Sequence, residues 1–335
     1  MRLEALAASE ALGTILMHNV ADDAGAKVLK KGTRLTQEHL AQLAEMGRAT
    51  VDVAILEKDD IHEDDAATGL AAALKTEYLT LSRPTGGRVN LRAQMDGLLE
   101  VDAGRLIELN MIPGIAVGTR RQHAVVGPNQ DTDNLATIKI IPFAIRRQIL
   151  DLALELAQRR PGIVEFRPFR PGRPAAMLLV GEPSVHDKLR ETFLPATQAR
   201  LGRLACELVA TEAVVQEEEA IGQAAARLLQ VADLLIIAGQ TSIMDEDDTT
   251  LRALRAIGAE STLSGAPVEP GNLLALAYFP GKAVLCAPGS AQSLKKNVVD
   301  LVLPRLVLGD RLERRDIAAL GLGGFLTATE RGSAV

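Results

Sequence analysis

"IIAGQTSIMDEDDTTLRAL", residues 236–254, runs from an apolar stretch through one glycine and two hydroxyl residues into four acids, Asp245, Glu246, Asp247 and Asp248, and then into a helical pattern. Strand, glycine turn and helix in that order make a βα unit, and the neighbouring segments repeat it. "AAMLLVGE", "LACELVATEAV" and "DLLIIAG" read as strands, and "SVHDKLRETFLPATQARLG", "EEEAIGQAAARLLQVA" and "DTTLRALRAIGA" as the helices between them. Near-continuous apolar strands that alternate with amphipathic helices predict a parallel sheet covered on both faces. A hairpin-like pair, "LLALAYFPGKAVLCAPG", and a last helix, "LKKNVVDLVLPRLVLG", complete an α/β domain expected over 171–330.

Upstream, "FRPFRPGRPA" (166–175) interrupts all periodicity with three prolines and a glycine and marks the boundary. Residues 61–170 read as an α+β region: a helix with an acidic first turn in "EDDAATGLAAALKTEYL", strands in "GGRVNLRA", "GLLEVD", "GIAVGTR" and "ATIKIIPF", and a helix in "IRRQILDLALELAQRR". In that last helix Ile149, Leu152, Leu154 and Leu156 are too dense for a fully exposed surface, so it should pack on the sheet. Residues 1–60 read as a small α+β module, with strands at "LGTILMHNV" and "ATVDVAIL", a turn at "ADDAGA", and a helix capped by Thr36 and stopped at Gly47.

Composition narrows the function. The 335 residues suffice for two or three domains, and 47% are hydrophobic. Aromatic residues make up 2% and tryptophan is absent, so stacking platforms for single-stranded nucleic acid are not expected. The net charge of −6, from 37 basic and 43 acidic residues, lacks the basic stripe that duplex binding needs. Cys206 and Cys286 lie in apolar runs and read as buried thiols. The N-terminus "MRLEALAASEALG" has no basic segment leading into an apolar core, and no run approaches the ~18–20 apolar residues of a membrane span. The expectation is a cytoplasmic chain with neither nucleic acid nor membrane as partner.

Ligands of open α/β sheets lie beyond the carboxyl ends of the strands. Three loops qualify: "VGEPSVHDK" (180–188), "AGQTSIMDEDD" (238–248) and "APGSAQSLKKN" (287–297). In the second, Gly239 lets the backbone approach a ligand, and Thr241 and Ser242 can donate to phosphoryl or carboxylate oxygens. The four acids read either as an N-cap at Asp248 with solvated neighbours or, because one or two acids satisfy a helix end, as carboxylates that hold a cation, Mg²⁺ being the usual one beside phosphate. In the third, Pro288 and Gly289 set a turn, Ser290 and Ser293 donate, and Lys295 and Lys296 fall in the expected first turns of a helix, an unfavourable place for cations unless an anion is bound. Between these loops Glu269, Pro270, Gly271 and Asn272 form a rigid turn of type II pattern. In the N-terminal half, "PTGGRVNLR" (84–92) reads as a hairpin turn or as amides plus Arg88 and Arg92 facing an anion, and His62, Glu63, Asp64 and Asp65 as an acid-rich helix start or metal ligands by type.

The segments "AGQTSIMDEDDTTLRALRAIGAE", "GAPVEPGNLLAL" and "VLCAPGSAQSLKKN", in that order, resemble the molybdopterin-binding domain of proteins that adenylylate molybdopterin or insert molybdate into it. "LKKGTRLTQEHLAQL", "DIHEDDAA", "ATIKIIPFAI" and "DIAALGLGGFL" resemble recurring segments of a subgroup in which this domain is sometimes fused to a molybdenum-cofactor cytidylyltransferase. The resemblance implies a three-layer αβα domain with a mostly parallel sheet behind a smaller α+β region. It implies that Gly239, Gln240, Thr241, Ser242, Glu269, Pro270, Gly271, Asn272, Pro288, Gly289, Ser290 and Ser293 line the cofactor pocket, that Asp245, Asp247 and Asp248 hold Mg²⁺, and that Asp248 and Lys295 would be the catalytic pair.

The implied function is binding of molybdopterin or a molybdenum-cofactor nucleotide during maturation or hand-over, with molybdopterin or molybdenum cofactor as the bound group. The implied partners are a separate nucleotidyltransferase or an apo-molybdoenzyme, and further copies of the chain. The alternatives are a Mg²⁺-dependent molybdopterin adenylyltransferase or molybdenumtransferase and, further off, a nucleotide pyrophosphatase of the competence-damage type. Gln240 replaces a glycine of the catalytic relatives, and "VGEPSVHDK" lacks their acidic and Asp-Ser-Asn elements, which favours binding over transfer.

Overall fold

A computed structural model describes residues 1–22, 24–128 and 134–327. Asp23 of the expected turn and the last three residues of the expected 171–330 domain lie outside the described residues. The chain forms two compact units, Met1–Met95 with Leu99–Phe166, and Asp96–Leu98 with Arg167–Val335.

The first unit opens with β1 (Arg2–Ala7), β2 (Ile15–Leu16), β3 (Val20–Ala21), β4 (Lys27–Leu29), α1 (Gln37–Glu45) and β5 (Thr50–Ile55). Strands β1, β5 and β2 make an antiparallel sheet in that order, and β3 pairs with β4. Thr36 caps α1 by accepting from the His39 N–H while His39 Nδ1 accepts from the Thr36 N–H, and Gly47, at φ 66°, turns the chain out of it. Leu40 and Leu43 of α1 then bury against Leu16, Leu29, Leu35 and Val53.

The unit continues with β6 (Asp60–His62), α2 (Glu63–Leu74), β7 (Leu79–Leu81), β8 (Arg88–Ala93), β9 (Gly97–Val101), α3 (Ala103–Asn110), β10 (Ile115–Thr119), β11 (Val125–Val126), β12 (Asn134–Ile140), β13 (Ala144–Arg146), α4 (Arg147–Gln158) and β14 (Val164–Pro168). An antiparallel sheet runs β10-β12-β8-β7, a smaller one β11-β9-β14, and β13 pairs with β6. "PTGGRVNLR" is a two-residue hairpin: Thr85 and Arg88 exchange backbone hydrogen bonds around Gly86 and Gly87, both at positive φ as a type I′ turn requires.

"HEDD" is a helix start. His62 Nδ1 accepts from the Asp64 N–H, Asp64 accepts from the Gly87 N–H at 2.6 Å, and buried Glu63 pairs with Lys139 at 3.0 Å. Helix α4 packs into the core as expected, through buried Leu150, Ala153, Leu156 and Ala157 with Ile149 and Leu154 against them, but Leu152 is 57% exposed. The 3.6-residue period carries Leu152 off the core-facing stripe despite the local density of leucines.

The second unit holds β15 (Ala175–Val180), α5 (His186–Arg203), β16 (Leu208–Val214), α6 (Glu218–Val231), β17 (Leu234–Gly239), α7 (Thr249–Ala256), β18 (Ser261–Ser264), β19 (Ala275–Phe279), β20 (Lys282–Ala287), α8 (Val299–Val307) and α9 (Arg314–Ala319). Its six-stranded sheet runs β16-β15-β17-β20-β19-β18, parallel through β20 and antiparallel for the last two pairs. This is the expected mostly parallel sheet flanked by helices. Every residue of β15 is buried, which is why it reads as an unbroken apolar run. Leu178, Leu235 and Ile237 share a core cluster with Ile221 and Leu228 of α6 and with Leu251 and Leu254 of α7; each such side chain contributes roughly 1.5–3 kcal/mol.

From β15 the chain goes first to β16 on one side, then over to β17 on the other. The strand order thus reverses beside β15, and a crevice is expected at the carboxyl ends of β15 and β17. Among the described residues no helix is long and apolar enough to cross a membrane.

The second unit is also tied by Asp310, which accepts from Arg167 at 2.8 and 3.0 Å and from Arg305 at 3.2 Å. Burial alone would raise the Asp310 pKa, but the hydrogen bonds and charges of Arg167 and Arg305 outweigh it and hold the carboxyl below its ordinary 3.8. A depressed folded-state pKa contributes stability that is present above the unfolded value and is lost as pH falls through the folded one. Asp310→Asn should therefore cost about 1.5–3 kcal/mol at neutral pH. Urea unfolding of both proteins should show this gap closing below pH 3.8, and a gap independent of pH would remove the charge from the explanation.

Candidate functional site

Strand β17 ends at Gly239, where an added Cβ would stand 2.7 Å from the Thr241 carbonyl oxygen, so the chain can fold back here only without a side chain. The next three residues each reach a different loop of the carboxyl edge. Gln240 donates its N–H to the Val180 carbonyl at 2.8 Å, and its Oε1 accepts from the Glu182 N–H at 3.2 Å, closing the loop after β15. Thr241 Oγ1 accepts from Gln216 Nε2 at 3.1 Å, beyond the end of β16. Ser242 Oγ accepts from the Gly289 N–H at 3.3 Å, at the loop after β20. His186, at the start of α5, adds a fourth tie, with Nε2 2.8 Å from the Gly181 carbonyl and 3.2 Å from that of Val214.

The four acids follow. Asp248 caps α7 by accepting from the Thr250 N–H at 2.8 Å, and Asp245 accepts from the Asp247 N–H at 2.7 Å. Their neighbours meet arginines: Glu246 lies 3.7 Å from Arg314, and the 95% exposed Asp247 carboxylate lies 4.0 Å from Arg255. Arg252 and Arg255 also donate to the Asp247 and Glu246 carbonyls. Among the described residues the ion pairs of this loop are thus made with Arg255 of α7 and Arg314 of α9, and none with Lys295 or Lys296. Among the described residues no three His, Cys, Asp or Glu side chains converge as a metal site, so Asp245, Asp247 and Asp248 are brought into one loop but not onto one point. Burial and, second, the Asp248 charge push the Cys286 thiol up, which leaves it inert. Burial raises the Cys206 thiol to about 11, with Arg173 opposing.

The loop after β20 is a short 3₁₀ turn over Gly289–Gln292, and α8 begins only at Val299. Lys295 and Lys296 therefore precede the helix and are not in its first turns as expected. The cause is Asn297, whose Oδ1 accepts from the Val299 N–H at 3.0 Å while its own N–H donates to Asp300 at 2.9 Å, a reciprocal arrangement like a capping box. Beneath the loop lies Arg200 of α5, 4% exposed. It donates to the carbonyls of Ala291 at 2.8 Å and Ser293 at 2.6 Å, and pairs with Asp300 at 2.8 Å. Asn297 Nδ2 donates to the Ser290 and Lys295 carbonyls. Ser293 Oγ accepts from the Lys295 N–H at 3.1 Å, and the Ser290 hydroxyl is buried with no partner among the described residues.

Glu269, Pro270, Gly271 and Asn272 reach this loop from the other side. The Pro270 carbonyl accepts from the Val298 N–H at 3.2 Å, Gly271 packs on the Val298 side chain, and the Asn272 carbonyl accepts from the Ala266 N–H at 2.9 Å. Glu269 meanwhile pairs with Phe325 in an isolated parallel bridge.

Sequence reasoning missed Arg200, Gln216, His186, Asn297 and Asp300. Two signals were available. Arg200 interrupts the stripe Leu189, Phe193, Ala196, Thr197 and Leu201, all of them buried, at helical spacing. Asn297 stands three residues before Asp300 at the head of an apolar helix.

Residues 5–55 match a family described as "Domain of unknown function (DUF8806)". Three solved structures are similar in parts. The protein CinA with unknown function from Thermoplasma acidophilum is 16% identical, over 42% of this chain and 99% of that one, with a TM-score of 0.34. A molybdenum cofactor biosynthesis protein from Pyrococcus furiosus is 11% identical over 95% of this chain, which spans 65% of that one, with a TM-score of 0.25. The molybdopterin biosynthesis enzyme MoaB of Thermus is 18% identical over 42% of this chain and 100% of that one, with a TM-score of 0.32. No curated protein matches the chain. These structural likenesses are distant; over the six-stranded domain, residues 176–307 match the family described as "Probable molybdopterin binding domain".

Proposed function

We propose that the protein binds molybdopterin, or a nucleotide form of the molybdenum cofactor, at the carboxyl edge of the β15–β17–β20 strands and acts in cofactor maturation or hand-over. One observation carries this reading: Gln240, Thr241 and Ser242 tie three separate loops into one rim, and on that rim Ser290 keeps a buried hydroxyl that has no partner among the described residues. An orphaned buried donor beside backbone-lined glycine turns suits an acceptor-rich ligand such as a phosphorylated pterin. Gly239, Glu269, Pro270, Gly271, Asn272, Pro288, Gly289 and Ser293 would complete the lining.

Mg²⁺ would be held at this loop and would neutralise charge beside the phosphate. It takes one or two carboxylates and leaves the remaining positions to water and phosphate oxygens, and Asp247 together with Asp248 or Asp245 could supply them. The N-terminal region is assigned by the same proposal to the subgroup related to cytidylyltransferase fusions. A separate nucleotidyltransferase or an apo-molybdoenzyme would receive the cofactor.

The closure of the β15 loop by the Gln240 side chain favours binding over transfer, since it fills the place where an open glycine would let a second substrate approach. The test is equilibrium binding of molybdopterin with and without Mg²⁺. The wild-type chain should bind, and Thr241→Val with Ser290→Ala should weaken binding about 10-fold or more, the equivalent of one or two hydrogen bonds to a charged group. Absence of binding overturns the reading. Release of pyrophosphate from Mg·ATP in the presence of molybdopterin would replace it with adenylyl transfer, in which Asp248 and Lys295 would act on the phosphates.

A further inference from the structure

The sheet β10-β12-β8-β7 of the first unit has two unlike faces. Val89, Leu91, Ala136, Ile138, Ile115 and Val117 are at most 5% exposed and belong to the core cluster that includes α2. Because side chains alternate along a strand, Arg88, Asn90 and Arg92 of β8 and Thr137 and Lys139 of β12 fall on the other face. The four strands, LTL, RVNLRA, IAVGT and NLATIKI, contain no acid, although the chain as a whole has more acids than bases.

The hydrogen bonds on this face leave donors over. Thr137 donates its hydroxyl to Asn90 Oδ1 at 2.8 Å, which uses the amide oxygen and leaves Nδ2 without a partner among the described residues. Arg92 donates Nε to Asn134 Oδ1 at 3.0 Å, which fixes the guanidinium while its two terminal nitrogens have no partner among the described residues. Arg88 is exposed, and its side chain has neither a hydrogen bond nor an ion pair among the described residues. It stands directly opposite Lys139 in the ladder, and the counter-ion of Lys139 is Glu63, 3.0 Å away. Two like charges facing each other across an antiparallel pair are unfavourable unless an anion lies between or beside them. Arg88 and Arg92 are each about 7 Å along the strand from Asn90, a gap an extended arginine spans.

We propose that this face binds a phosphate monoester, seated over Asn90 and clamped from both sides by Arg88 and Arg92. Guanidinium forks match phosphate oxygens in paired hydrogen bonds, and the Asn90 amide supplies the central donor. The site does not depend on the loops of the second unit. The shared chemistry is the phosphoryl group, which inorganic phosphate offers alone and a nucleoside monophosphate offers with a base and sugar attached.

The experiment is calorimetric titration of the full chain at constant ionic strength with inorganic phosphate and, separately, with AMP. Three proteins are compared: the wild type, Arg88→Gln with Arg92→Gln, and Thr241→Val with Ser290→Ala. Saturable binding that falls about 10-fold or more in the arginine variant, and keeps that component in the variant of the C-terminal loops, is the expected result. If AMP alone shows it, the ligand is an organic monoester; if both do, the phosphoryl group suffices. Titrations indistinguishable between the wild type and the arginine variant, or no saturable binding of either probe, overturn the proposal. Because both arginines are exposed, an unchanged melting temperature should show that the variant folds.

Discussion

Replacing Arg200 by methionine is expected to destabilise the second unit by about 3–5 kcal/mol, the range for removing one partner of a buried ion pair. The Arg200 side chain is 3% exposed and that of Asp300 is 11% exposed, so the remaining carboxylate could not be rescued by bulk water. It would keep the Asn297 N–H and lose the guanidinium, while the Ala291 and Ser293 carbonyls would lose their donor as well. For a unit of this size the loss corresponds to a melting temperature lowered by roughly 6–20 °C. Asp300→Asn in the methionine background should recover part of it, because the uncompensated charge is then gone although the carbonyls remain open. Denaturant unfolding of the wild type and the two variants checks this. A loss under about 1 kcal/mol for the single variant would mean that water serves these groups and that Arg200 does not hold the loop.

The same residue shows where the sequence was legible and where it was not. Strands β15, β17 and β20 are readable because both of their faces are buried and nearly every position is apolar. "STLS" of β18 and "RLEALA" of β1 escape because they are sheet-edge strands whose residues keep partial or full exposure, leaving neither an apolar run nor a clean alternation. The loops of the candidate site could be located from topology alone, since ligand loops follow strand ends. Their internal order could not: Arg200 and Asp300 are 100 positions apart, and no spacing rule connects them. Acids were legible by number, but their partners were not. Arg255 sits two turns into the helix that follows, and Arg314 comes from a helix near the end of the chain.

The second large effect is expected at Gly271, where alanine should cost about 2–6 kcal/mol, as backbone strain of roughly 1–3 kcal/mol adds to overpacking of similar size. The backbone there has φ 124°, a region that side chains disfavour, and a Cβ would overlap the Val298 side chain and stand 3.1 Å from the Val298 nitrogen. Val298 has no room to give. It is fully buried, its N–H is donated to the Pro270 carbonyl, and it lies between Asn297, which orders the β20 loop, and Val299, where α8 begins. The strain should therefore pass into the 288–297 loop, so Gly271→Ala should weaken the molybdopterin binding proposed for that loop as well as lower stability. Truncating Val298 to alanine removes the closest contact but leaves the Val298 Cβ 2.8 Å away and the φ unchanged, so the pair should be non-additive by at most roughly 1–2 kcal/mol while the backbone part of the loss remains. Unfolding free energies of the two single variants and the double variant that simply add would show that the methyl group finds space elsewhere and that Gly271 is required for its backbone conformation alone.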